Sequence, residues 1–231
     1  MKAFNNNQEL KNEFLIELKK HQELDDFIQG EWLTDHKNDL GEFKGCFYGC
    51  TMQIDSEPIL KFSEKYNIDL WYCHLTEKIF EGLPEEEAHL FPYQSIEKIP
   101  LGFDFNNFKS QFFKANLTKQ KEWVTDENVI KILDKCIELF KVPFNEISKS
   151  EARSAANSAW SAADSAADSA SWAAANSARS AANSAWSAAN SAAESAESAG
   201  WSAGYSKTNH YIWMRDLIFE LLNNNQYGIK F

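Results

Sequence analysis

The residues best suited to chemistry begin with a glycine–cysteine repeat, GCFYGC, at residues 45–50. Cys46 and Cys50, together with the later pair Cys73-His74, offer four soft metal ligands. The C-x3-C spacing nevertheless differs from the C-x2-C spacing of structural zinc sites. A thiol paired with a histidine would instead act as a nucleophile. Because a free cysteine is most often buried as a small apolar side chain, we expect neither a bound metal nor a cofactor.

A histidine and an aspartate one helical turn apart form the second candidate. In the pattern H-x3-D, His21 and Asp25 share one face of a helix, so the carboxylate would orient the imidazole. A cysteine from residues 45–50 that met this histidine would complete a catalytic dyad. The alternative interpretation is a surface ion pair at the end of a helix.

A third candidate, Glu81, lies in the sequence FEGLP, which three further glutamates follow. A buried Glu81 would be suited to general-base catalysis. The alternative is structural, because Pro84 can begin a helix whose dipole stabilises acidic side chains in its first turn.

The elements that must position these side chains are mostly helices. Apolar residues at helical spacing, with Pro and Gly between them, predict a mainly α fold with an N-terminal helical domain over residues 1–148. The stretch 31–54 is predicted as a loop or a short hairpin that leads into a helix, and a short helix is predicted between Pro92 and Pro100. The other predicted helices are 8–28, 57–66, 70–80, 84–90, 106–115, 125–140 and 211–222.

The longest regular pattern is the Ala/Ser-rich segment 151–206, which contains no Leu, Ile, Val, Met or Phe. Its alanines recur about every 3.7 residues, which is a helical period close to that of hendecad repeats. One continuous helix would be about 84 Å long. We therefore expect a rod that forms a homodimer through its alanine stripe, or a helix broken into close-packed segments. The corresponding domains are 149–206 for this segment and 207–231 for a closing helix and tail.

The large side chains of this segment fall on one stripe. Its four tryptophans are 12, 14 and 15 residues apart, which is about 18–22 Å between neighbours along a helix. Aromatic rings and arginines can stack on planar ligands, but these distances suit the anchoring of a protein partner better. The predicted binding residues are Trp160, Trp172, Arg179, Trp186, Trp201 and Tyr205.

The amino-acid composition and net charge disfavour several classes of function. A formal net charge of −11 over 231 residues disfavours direct binding to nucleic acid or anionic membranes, which attract basic surfaces. No apolar run approaches the ~20 residues that span a bilayer. Four cysteines without a signal-peptide pattern favour a reducing cytoplasm over a disulfide scaffold.

These motifs together resemble a family of proteins from phages and other mobile elements of bacteria. The shared pattern is H-x3-D-x4-G, then G-C-x2-G-C-T, then F-E-G-L-P with an acidic stretch, an Ala-rich helical array and a closing apolar helix. The array of this chain uses Ser and Trp where the family has Ala-Ala-Tyr and Ala-Ala-Asp, and it is also similar to Ala-rich segments of immunity proteins. The matching residues are His21, Asp25, Gly30, Gly45, Cys46, Gly49, Cys50, Thr51, 80–84, 147–153 and 214–222.

The resemblance implies an accessory protein of a phage or mobile element that acts in the bacterial cytoplasm, and it implies no particular activity. The leading hypothesis is a non-enzymatic, acidic protein that binds and inhibits or sequesters a host or rival factor, in an anti-defence or immunity-type role. The first alternative is a Cys/His-dependent enzyme or small-molecule-binding protein that uses His21, Cys46 or Cys50, and Glu81. The second alternative is a structural rod that scaffolds assembly.

Overall fold

The computed structural model describes residues 2–54, 56–122, 127–141 and 207–226. Over these residues it contains eight α-helices and no strand, which confirms the predicted mainly α fold. The Ala/Ser-rich segment lies outside the described residues, and so do the six predicted binding residues on its stripe. The long helix, its homodimer and its binding stripe therefore stay predictions.

The chain divides into two compact units, Met1–Phe105 with Met214–Phe231, and Asn106–Trp213. The helices of the first unit are α1 (Gln8–Glu23), α2 (Phe47–Met52), α3 (Pro58–Tyr66), α4 (Leu70–Gly82) and α5 (Glu85–Glu97). The remaining described helices are α6 (Phe105–Lys121), α7 (Glu127–Leu139) and α8 (Lys207–Gln226).

Helix α1 is shorter than predicted, because the chain turns sharply after Glu23. Asn7 caps its N-terminus, where the side chain accepts a hydrogen bond from the Glu9 backbone N–H at 2.9 Å. Past the other end, Asp25 has a φ of 54°, which lies in the left-handed region and cannot continue a helix. The predicted helix to residue 28 is therefore wrong over its last residues.

Helix α5 continues through Pro92, where the sequence predicts an interruption. A proline inside a helix removes one backbone hydrogen bond, and the burial of its neighbours offsets that loss. The buried side chains of α5 are Ala88, Phe91, Pro92, Ser95 and Ile96. The two short helices predicted before and after this proline are one helix.

A short hairpin precedes α2, and a hairpin is one of the two forms predicted for residues 31–54. Helix α2 itself lies inside that stretch, where the sequence predicts no helix. The Asn38 backbone N–H donates to the Glu42 carbonyl at 2.8 Å, and the Lys44 N–H donates to the His36 carbonyl at 3.0 Å. The Asn38 side chain closes the turn by accepting a hydrogen bond from the Glu42 N–H at 3.0 Å. The hairpin leads directly into α2.

Two glycines let the chain pass closely over α2. A Cβ at Gly45 would lie 2.2 Å from the Trp32 carbonyl oxygen, and one at Gly49 would lie 1.7 Å from it. The Cys46 N–H also donates to the Glu31 carbonyl at 2.7 Å. Only glycine permits this approach, so one face of α2 is occupied by the backbone of residues 31 and 32.

Aromatic side chains fill the core of the first unit. The Phe62 ring lies 5.0 Å from Phe14 and 4.7 Å from Tyr48, both in edge-to-face arrangements. Each of these rings is almost fully buried, which stabilises the fold by about 1.5–3 kcal/mol per side chain. The part of α8 in this unit packs on α5, where the Phe219 and Phe91 rings lie 6.0 Å apart.

The second unit has a smaller described core between α6 and α7. The Phe113 and Phe140 rings stack at 5.0 Å, and Leu133 and Cys136 of α7 are buried. Burial raises the pKa of the Cys136 thiol to about 11. Among the described helices, none combines the length and the apolar character that crossing a bilayer requires.

Candidate functional site

Three fully buried side chains from three segments converge at the end of α1. His21 lies in the last turn of this helix, and its Nδ1 is 2.9 Å from Asp26 Oδ2. The same Nδ1 is 3.3 Å from the Sγ of Cys50 in α2. The structure therefore brings together two of the predicted residues, His21 and Cys50, with an aspartate that was not predicted.

The carboxylate beside His21 belongs to Asp26 and not to Asp25. Asp25 is 86% exposed, and its carboxylate lies 3.4 Å from Nδ1 of His89. The one-turn spacing fails because α1 ends before Asp25, whose left-handed conformation redirects the chain. Asp26 then folds back, and its N–H donates to the His21 carbonyl at 3.0 Å.

A short backbone ladder sets the position of Cys50. The Gly45 N–H donates to the Asp26 carbonyl at 3.0 Å, and the Ile28 N–H donates to the Gly45 carbonyl at 2.7 Å. This ladder places the start of α2 beside the turn after α1. Cys50 then lies one helical turn into α2, on the face towards His21.

Further polar groups surround the imidazole and its aspartate. The Asn38 side chain donates to Asp26 Oδ2 at 2.7 Å, whereas Asp26 Oδ1 is buried without a hydrogen-bond partner. On the other side of the ring, Glu17 Oε1 lies 3.1 Å from His21 Nε2, although not in hydrogen-bond alignment. The imidazole thus lies between two carboxylates.

A second group lies around Cys46, which caps the N-terminus of α2 by accepting a hydrogen bond from the Gly49 N–H at 3.4 Å. The possible ligand atoms of Cys46, Glu77 and Glu81 all lie within 4.8 Å of one another. Burial raises the pKa of Glu77 to about 8, and a hydrogen bond from Cys46 opposes this effect. Burial also raises the pKa of Glu81, whose carboxylate accepts a hydrogen bond from the Gly30 N–H at 2.7 Å.

The two thiols are poorly suited to nucleophilic attack in this conformation. Cys46 and Cys50 are at most 1% exposed, and burial raises the pKa of both thiols well above the ordinary value. Both Asp26 and Cys50 contact the same ring nitrogen of His21. A catalytic triad needs the carboxylate and the nucleophile on opposite nitrogens, so the arrangement is not that of a triad.

Other predicted ligands do not join these groups. In the part of the chain that the structure describes, the candidate ligand clusters include neither Cys73 nor His74. Cys73 is fully buried in α4, and burial lowers the pKa of the half-buried His74. The four-ligand set considered from the sequence is therefore not assembled.

Sequence reasoning missed several residues of both groups, and helical spacing could have indicated some of them. Glu17 precedes His21 by four residues on α1, and Glu77 precedes Glu81 by four residues on α4. Each pair therefore shares a helix face. Asp26 carries no comparable signal, because its position depends on the backbone conformation of the preceding residue.

An open groove of about 850 Å³ adjoins the turn after α1. Its charged lining includes the carboxylates of Asp25, Glu85 and Glu86, against the cations of Lys44 and, when protonated, His89. The Lys44 ammonium donates to the Asp25 carbonyl at 3.0 Å. The lining of the groove therefore carries an excess of negative charge.

Apolar side chains form part of the same groove. Phe27 and Ala88 are buried, whereas Leu90 is 43% exposed. The Phe27 and His89 rings meet edge to face at 6.4 Å. A ligand of this groove would thus contact both apolar side chains and carboxylates. Comparisons of the chain with known protein families, with curated proteins and with solved structures find no match.

Proposed function

We propose that this chain is a non-enzymatic accessory protein of a bacterial phage or mobile element, which acts in the cytoplasm by binding and inhibiting or sequestering a host or rival protein. Its groove would receive a basic segment of that protein. The observation that carries this proposal is that Asp25, Glu85 and Glu86 line an open groove together with the apolar side chains of Phe27, Ile28, Ala88 and Leu90. The resemblance of the motifs to phage and mobile-element proteins supplies the biological context.

Charge and exposure support a basic ligand. Asp25 is 86% exposed, and Glu85 and Glu86 are exposed in the first turn of α5, so all three carboxylates are accessible to an incoming cation. A formal net charge of −11 would also accelerate the encounter with a basic protein surface. Each exposed ion pair contributes up to about 1 kcal/mol, so affinity would need several pairs together with contacts to the apolar side chains of the groove.

The test is a binding measurement with a fluorescent peptide that carries arginines on both sides of a leucine. Replacing two groove carboxylates in the variant Glu85→Gln/Glu86→Gln should weaken binding by about 10-fold. The matched control is Glu9→Gln/Glu13→Gln, which removes the same charge from exposed positions of α1 outside the groove.

The control variant should bind within about twofold of the wild type. Equal loss of affinity in both variants would show that the groove has no special role and would contradict the proposal. In bacterial lysate, a protein retained by the wild type and the control should be lost by the groove variant. If the groove variant still retains that protein and a variant with Trp→Ala changes at residues 160–201 loses it, the contact lies on the predicted stripe instead.

The alternative of a Cys/His-dependent enzyme is favoured by the 3.3 Å contact between Cys50 and His21. Burial and protonation of the thiol oppose it, because the thiolate is the nucleophile. Iodoacetamide treatment of the native protein distinguishes the Cys/His-dependent enzyme from the non-enzymatic binding protein. We expect Cys46 and Cys50 to stay unmodified until denaturant is added, whereas rapid native alkylation of Cys50 would support the enzyme.

A further inference from the structure

We infer that His21, Asp26 and Cys50 form a binding site for one divalent transition-metal ion of the zinc class. The ion would lie between His21 Nδ1, Cys50 Sγ and the Asp26 carboxylate. It would join the end of α1, the following turn and α2. The inference is independent of the proposed partner and concerns a buried site that adjoins the groove.

The distances fit a small, tetrahedrally coordinated ion. His21 Nδ1 lies 3.3 Å from Cys50 Sγ and 2.9 Å from Asp26 Oδ2, and the ligand atoms all lie within 4.8 Å of one another. With bonds of about 2.0–2.3 Å, tetrahedral zinc separates neighbouring ligand atoms by about 3.4–3.6 Å. Cys50 Sγ and Asp26 Oδ2 therefore each need to move away from His21 Nδ1 by about half an ångström or less.

Unsatisfied polar atoms favour the binding of a cation at this place. Asp26 is fully buried, and its Oδ1 has no hydrogen-bond partner. A neutral imidazole carries one N–H, yet His21 faces Asp26 on Nδ1 and Glu17 on Nε2. In either neutral tautomer, one carboxylate would face a nitrogen lone pair, so both are satisfied only by a doubly protonated ring or by a metal ion on one nitrogen.

A metal ion on Nδ1 removes this conflict. The imidazole proton then resides on Nε2, where Glu17 at 3.1 Å can accept it after a small adjustment of the side chain. Metal-bound histidines commonly donate their other N–H to a carboxylate in this way. The Asn38 amide, which donates to Asp26 Oδ2 at 2.7 Å, would likewise orient the ligating carboxylate.

The donor set indicates which ion fits. Thiolate and imidazole ligands favour zinc and similar transition metals, whereas magnesium and calcium prefer sites made of oxygen ligands alone. Metal binding would release the proton of the Cys50 thiol to solvent, because the thiolate is the ligand. Asp26 Oδ1, the buried oxygen without a partner, is available as a fourth donor atom.

The test is a titration of the chelator-treated full chain with Co²⁺, followed by competition with Zn²⁺. We expect one Co²⁺ per chain with a thiolate-to-cobalt charge-transfer band, and displacement by Zn²⁺. Cys50→Ser should remove the band and weaken Zn²⁺ binding by at least about 100-fold, and Glu17→Gln should weaken it by about 10- to 100-fold. Cys46→Ser is the matched control and should leave the band unchanged.

Any other outcome would overturn the assignment of the metal ion to His21, Asp26 and Cys50. A band that survives Cys50→Ser and disappears in Cys46→Ser would place the ion at Cys46, Glu77 and Glu81, and no band in the wild type would exclude a thiolate site. If the Cys50→Ser variant does not fold, X-ray absorption spectroscopy of the zinc-loaded wild type identifies the ligands of the ion instead. We expect one sulfur ligand and one imidazole per zinc; no sulfur or two sulfurs would contradict the proposal.

Discussion

Glu77 is a buried acidic residue whose protonation makes stability depend on pH. It lies on α4 beside Cys46, it is 7% exposed, and its Oε2 has no hydrogen-bond partner. Burial raises its pKa to about 8 from a usual value of 4.5, and the nearby Glu81 adds to this effect. The side chain is therefore largely protonated in the folded protein at neutral pH.

The sign of the resulting pH dependence follows from proton counting. Between about pH 4.5 and pH 8, the unfolded chain has lost the Glu77 proton while the folded protein retains it. The free energy of unfolding therefore falls as the pH rises through this range, by on the order of 5 kcal/mol from this group. We expect Glu77→Gln to remove this dependence, so that its stability relative to the wild type rises from pH 5 to pH 8.

Urea denaturation at several pH values between 5 and 9 measures this difference. Glu13→Gln, which removes an exposed carboxylate from α1, is the control for the loss of a charge. A difference between Glu77→Gln and the wild type that stays constant over this range would contradict the assigned burial of Glu77.

Among the helices, α2 makes a different kind of contact on each of its two faces. Gly45 and Gly49 admit the backbone of Trp32, whereas Cys46 and Cys50 extend to Glu77 and His21. The two glycines are four residues apart, and so are the two cysteines. Because four residues make about one helical turn, the members of each pair lie on the same side of the helix. The repeat GCFYGC is thus a packing motif that also presents two thiols to separate polar groups.

Gly49→Ala tests this close approach. In a helix, Ala is normally more favourable than Gly by about 1 kcal/mol. Here the new Cβ would lie 1.7 Å from the Trp32 carbonyl oxygen, so we expect a net loss of about 1–3 kcal/mol of stability in urea denaturation. Gly45→Ala should act in the same direction, and a Gly49→Ala protein as stable as the wild type would show that residue 32 is free to move.

Helix positions were predictable from the sequence because burial imposes a helical period on apolar residues. The contacts of the site were less predictable, because they depend on backbone turns between helices. The left-handed conformation of Asp25 decides that Asp26 contacts His21, and a periodic pattern contains no such information. Pro92 similarly predicts a helix end, yet the burial of its neighbours stabilises α5 as one continuous helix.

The whole molecule combines the described helices with the Ala/Ser-rich segment 151–206, for which the sequence predicts a self-associating rod or a helix broken into close-packed segments. A stripe of alanines permits close approach of two helices, and a rod of about 84 Å would gain stability mainly from such contacts. We therefore expect a homodimer that associates through this stripe.

Small-angle scattering with in-line light scattering tests the predicted homodimer. We expect twice the mass of one chain and a maximum dimension above about 80 Å. A compact particle with the mass of one chain would contradict the homodimer and favour a segment that folds back on itself. Replacing two stripe alanines by lysine should convert a dimer into monomers.

The acidic groove is the central claim, and NMR on the full chain with the arginine-containing peptide tests it most directly. Backbone amide shifts report which residues a ligand contacts, without any substitution. We predict that the largest shifts occur at Asp25, Phe27, His89 and Leu90, which line the groove. Shifts confined to residues outside the groove, or no shifts at peptide concentrations well above that of the protein, would contradict the proposed function.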